Sequence, residues 1–77
     1  MRYFFDTVDP SGARRDGVGV DCPSDNSARR LARKALGEMF SESLKEGDET
    51  YGISVRDNAG ATVFAGTLAY RQDLTSL

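Results

Sequence analysis

The chemistry open to this chain of 77 residues is narrowed first by composition, since it has no histidine and a single cysteine, Cys22. A Cys/His zinc site, a Cys–His catalytic pair and an intrachain disulfide are therefore ruled out. Cys22 reads as a space-filling residue beside a strand rather than a reactive thiol. The carboxylates fall mostly in turns or on a helix surface. Three of them open Asp-x-x-Gly tetrapeptides: Asp9-Pro10-Ser11-Gly12, Asp16-Gly17-Val18-Gly19 and Asp57-Asn58-Ala59-Gly60. In each, the Asp can accept a hydrogen bond from the backbone two residues on, and the Gly tolerates positive φ at the exit, so all three read as turns. None has the closely spaced Asp/Asn ligands, central Gly and closing Glu of an EF-hand loop. Asp6 and Asp16 could meet across a hairpin as an acid–base pair, but two solvent-facing acids is the simpler reading. The expectation is a protein that is not an enzyme, with no catalytic, metal or cofactor-binding residue and no cofactor.

The one other cluster with chemical potential is basic. Arg29, Arg30, Arg33 and Lys34 contain two like-charge pairs spaced four apart, Arg29/Arg33 and Arg30/Lys34, which a helix would not choose for its own stability. They are candidate anion-binding residues. Charge is also segregated along the chain: residues 14–34 carry six bases against three acids, and residues 35–57 carry six acids against two bases. The net charge of -2 and the lack of a nucleic-acid motif disfavour a nucleic-acid partner.

The elements that must position these residues are legible from periodicity. Tyr3, Phe5 and Thr7 alternate with Arg2, Phe4 and Asp6, and Tyr51, Ile53 and Val55 alternate with Gly52, Ser54 and Arg56, the period of two that marks strands. The run from Thr62 to Tyr70 continues the second set as a hairpin around Asn58-Ala59-Gly60. Ala13 to Arg15 and Val20 to Cys22 are at most short strand pieces. Between the hairpins, Ala28, Leu31, Ala32, Ala35, Leu36, Met39 and Phe40 form one stripe of a 3.6-residue period, which predicts an amphipathic helix over about Ser24 to Glu46. Ser24 is its cap, and Gly47 its stop. Leu31, Leu36 and Phe40 are expected against the sheet.

The outcome is a small two-layer α+β domain of order ββαββ over residues 1–72, an antiparallel sheet with one helix packed on one face, and a short tail over 73–77. One helix covers one sheet face, so Phe4, Val63 and Ala65 are candidate interface residues on the other. No apolar run is long enough to span a membrane. Asp6 ends the aromatic start too early for a signal peptide, so a cytoplasmic setting is expected.

Residues Arg2-Tyr3-Phe4-Phe5-Asp6, Asp16-x-x-Gly19-Val20, Pro23 ahead of an Ala/Arg-rich helix, and Val55-Arg56-Asp57-x-x-Gly60 together resemble an uncharacterised family of small bacterial proteins. The family is common in alphaproteobacteria and defined only as a domain of unknown function. The resemblance spans about residues 2 to 70 and implies a bacterial source and the ββαββ order, without an activity. Many members carry histidine where this chain has Asp6, so no imidazole role transfers. A looser similarity to HicB-type antitoxins lies in the aromatic first strand, the hairpin and the Ala-rich helix. It lacks their proline-leucine-proline-glycine stretch and any DNA-binding segment after Tyr70. The function expected from the residues is a protein-interaction or accessory domain, with a protein partner or a second copy on the open sheet face or a sheet edge. Anion binding through the basic helix face and an antitoxin role are the alternatives.

Overall fold

Aromatic and β-branched residues at alternate positions build the two long central strands, β1 (Arg2–Asp9) and β4 (Glu49–Arg56), which pair antiparallel with Phe5 opposite Val55 and Thr7 opposite Ile53. The computed structural model describes residues 1–43 and 47–73. Beyond β4 lies β5 (Thr62–Tyr70), returned by the Asp57 turn, and on the far side of β1 lie two short pieces, β2 (Gly12–Arg14) and β3 (Val20–Asp21). The main path of the sheet is β2-β1-β4-β5, with β3 paired to the opening residues of β1. The first hairpin thus has a return limb split in two, and the order ββαββ holds with five strands among the described residues.

All three Asp-x-x-Gly turns form as their residues dictate. Asp9 accepts from Ser11 N, Asp16 from Val18 N and Gly19 N, and Asp57 from Ala59 N and Ala61 N. Each closing glycine has positive φ: 135° at Gly12, 81° at Gly19 and 90° at Gly60. Gly19 is the most constrained, because a Cβ there would stand 2.8 Å from Arg2 Cγ and 2.9 Å from the Tyr3 carbonyl oxygen.

The helix α1 runs from Asp25 to Ser43, and Ser24 caps it by accepting from Ser27 N at 3.1 Å. The expected last turn, Leu44–Glu46, lies outside the described residues, as does the tail beyond Asp73. Asp25 in the first helical turn suits the positive end of the helix dipole and also accepts from the Tyr3 hydroxyl at 2.5 Å, which fixes the helix start to β1. Ala28, Ala32 and Leu36 are buried against Tyr3, Cys22, Tyr51, Ile53 and Val55, with Ala35, Met39 and Phe40 packed at the margin. Phe40 meets the Tyr51 ring edge-on at 5.6 Å.

Leu31 departs from expectation: it is 41% exposed. The helix lies on β4 and β5 rather than centrally on the sheet. Arg29 marks the flank facing β5, where its Nε donates to the Val63 carbonyl at 2.9 Å. Leu31, two residues on, falls on the opposite flank, above the part of the sheet that the helix leaves uncovered.

Candidate interaction surface

Side chains opposite one another in an antiparallel ladder share a face. With Tyr3, Ile53 and Val55 buried under the helix, the other face carries Phe4, Asp6 and Val8 from β1, Ala13 from β2, Gly52, Ser54 and Arg56 from β4, and Ala65, Thr67 and Ala69 from β5. A shallow depression of about 360 Å³ occupies its middle, bordered by Val8, Ala13, Gly52, Ser54, Ala65 and Thr67. Small side chains there leave the backbone near the surface, and Val8 at its rim is 49% exposed.

One end of this face is a tight polar cluster. Arg56 lies opposite Phe4, and its guanidinium stacks over the Phe4 ring at 4.8 Å. From there it forks onto Asp6, with Nε to Oδ2 at 2.8 Å and Nη2 to Oδ1 at 3.2 Å, and Nη2 also donates to the Asp16 carbonyl at 2.8 Å. Asp6 Oδ1 accepts from Asp16 N at 2.9 Å. The Asp16 carboxylate sits in the gap between β2 and β3 and accepts from Phe5 N at 3.0 Å, replacing the strand partner that β1 lacks there. The charge logic agrees with the geometry. The Arg56 fork holds the Asp6 carboxyl below its ordinary value, three backbone N–H groups do the same for Asp16, and Asp6 raises Arg56 in turn.

This corrects the reading of Asp6 and Asp16 as solvent-facing acids. They do come together, half-buried, but as acceptors for the chain's own donors; residues 6 and 56 are paired across fifty positions, which no local pattern announces. Phe4 is on the open face as expected, though half covered by Arg56. Ala65 is exposed there, beside the depression. Val63 is a correction. A bulge at Val55/Arg56 sets Phe64 opposite Val55 but Thr62 opposite Arg56, so the strand gains a residue and its phase reverses, and Val63 packs against the core. Of the four basic residues, Arg29, Arg30, Arg33 and Lys34 are all exposed, but Arg29 is engaged with the Val63 carbonyl.

The outer edge of β5 completes the surface. Phe5 N points away from β4, toward Asp16, so Phe5 and Val55 are a non-hydrogen-bonded pair and Val55 directs its own N–H and C=O to Phe64. Counting in twos, Gly66, Leu68 and Tyr70 also face β4, while Ala65, Thr67 and Ala69 direct their N–H and C=O outward. Among the described residues no strand pairs with that side. The edge strand carries no charge and no proline over its nine residues.

One helix on one face of an open antiparallel sheet makes the chain a small α+β domain. Within that class it belongs to the DUF6894 family, a domain of unknown function whose model matches residues 2–69. No curated protein matches the chain, and no solved structure does. No helix among the described residues is long and apolar enough to cross a membrane, and no group of three or more potential metal-ligating side chains occurs among them.

Proposed function

We propose that this chain is a non-enzymatic accessory domain of the bacterial cytoplasm that binds protein by strand addition to β5, with the open sheet face reading the side chains of the added segment. The observation that carries this is the β5 edge: nine uncharged residues with outward-facing backbone at Ala65, Thr67 and Ala69, beside a depression with small residues at its centre and Arg14 and Arg15 on its border. Natural edges are usually blunted by lysine, proline or a covering loop, and one that is not is a template for a partner strand. Engagement of Asp6 and Asp16 by Arg56 and backbone amides supports a structural rather than a proton-transfer role for both acids.

Thr67→Pro tests this reading. Its N–H faces outward, so proline removes a docking donor without breaking a bond to β4. Protein recovered from cell extract by the tagged wild type, untagged copies of the chain included, should be lost with Thr67→Pro and kept when Arg29, Arg30, Arg33 and Lys34 are all replaced by glutamine. The reverse outcome, with nuclease-sensitive material lost on the glutamine replacement, would move the function to the basic helix face.

A further inference from the structure

We infer that the strand added to β5 is β5 of a second copy, antiparallel and centred on Thr67, so that two domains share one continuous eight-stranded main sheet. This rests on the strand-addition reading above and names its partner. The first argument is self-complementarity. A two-fold axis through Thr67 pairs Ala65 with Ala69 of the partner subunit and Thr67 with itself, using every outward backbone position already identified. On the helix side the same register sets Phe64 against Tyr70 of the partner subunit and Leu68 against Gly66 of the partner subunit. Aromatic pairs and threonine pairs are favourable cross-strand neighbours, and no charge from 62 to 70 meets a like charge. Leu68, 39% exposed on the helix side of the edge, then gains cover.

The second argument is the position of the helix. It runs parallel to β5: Arg29 reaches Val63, Leu36 lies against Gly66 with its Cδ2 3.4 Å from where a Cβ would be, and Phe40 is 6.5 Å from Tyr70. It rests on β4 and β5 alike. With strands about 4.8 Å apart, a helix above the middle of that pair stands about 10 Å from its two-fold mate, the separation at which helices pack. Arg29 and Arg33 lie on this flank, and Leu36 stands at the level of the axis.

The third argument is the helix dipole. The two-fold axis sets the two helices antiparallel and opposes their dipoles, and Arg29 and Arg33, the charges on the facing flank, then lie toward the negative end of the neighbouring helix.

Sedimentation velocity over a concentration series, with wild type and Thr67→Pro, reads the assembly, and cysteine cross-linking reads its register. The wild type should sediment at twice the 8.4 kDa chain mass and Thr67→Pro at the chain mass with its far-UV spectrum intact. Under mild oxidation Thr67→Cys should cross-link two copies, since paired Cα atoms lie about 5.5 Å apart. Ala65→Cys alone should not, because its opposite residue is Ala69. A wild-type protein that stays at the chain mass throughout overturns the second copy while leaving strand addition to its own test. A dimer that survives Thr67→Pro overturns the edge, and cross-linking of Ala65→Cys in place of Thr67→Cys overturns the register. Should Thr67→Pro fail to fold, Thr67→Lys makes the same comparison through charge at the axis.

Discussion

Arg56 does the work of several residues. Its flat fork satisfies Asp6, secures the Asp16 loop and roofs Phe4, so one side chain joins β4, β1 and the segment between β2 and β3. Losing it leaves Asp6 half-buried without its cation, and Arg56→Ala should lower the thermal midpoint by about 10 °C. Arg56→Lys should recover little, because a point charge cannot make the bidentate contact or stack on the ring. Circular dichroism melts of the two variants decide this. The same cluster sets the response to acid. Asp6 and Asp16 have folded-state pKa values below the ordinary 3.8, so on acidification the unfolded chain takes up protons first. Their contribution is complete above that value and is lost as pH falls through it toward the folded values. Replacing both with asparagine should lower stability at neutral pH and flatten its decline in acid, which urea titrations at pH 7 and pH 3 would show.

The helix shows which parts of the element scale are readable from the chain and which are not. Its cap, its stripe and its direction follow from Ser24, Ala28, Ala32 and Leu36, since these are properties of a short window. The exposure of Leu31 does not, because it depends on the helix being set over β4 and β5, which no residue of the helix encodes. Leu36→Ala should therefore cost about 3 kcal/mol and Leu31→Ala less than about 1 kcal/mol, measurable as unequal shifts in a urea midpoint. The sheet divides in the same way. The strands and Asp-x-x-Gly turns were legible because alternation and turn chemistry are local. The bulge that buries Val63, the gap filled by Asp16 and the Asp6–Arg56 pair required knowing which strands are neighbours, and the fifty-residue separation of that pair leaves no trace in spacing. The open face was partly legible through Phe4 and Ala65, whereas the β5 edge emerged only with the strand order.

At the scale of the whole molecule, a core on one side of the sheet and a central β1–β4 pairing between distant segments describe a domain of modest stability that folds through long-range contacts. Refolding should take milliseconds or longer, with the β1–β4 pairing in its rate-limiting step, a timescale open to stopped-flow mixing. Chelators should leave the thermal transition where it is, since the interior is held by Tyr3, Tyr51, Val55 and their neighbours. The buried tyrosines also make the fold visible. Tyr3 donates its hydroxyl proton to Asp25 and Tyr51 to Glu49, and these hydrogen bonds, with burial, raise both phenols to about 12. The associated stability is present below pH 10 and disappears as pH rises toward 12. The chain has no tryptophan, so ultraviolet emission comes from tyrosine alone. A phenol becomes far more acidic on excitation, and one already bonded to a carboxylate can hand over its proton before it emits. The native protein should be dim in tyrosine emission and brighten as Tyr3 and Tyr51 leave Asp25 and Glu49, so unfolding supplies its own optical signal without a label.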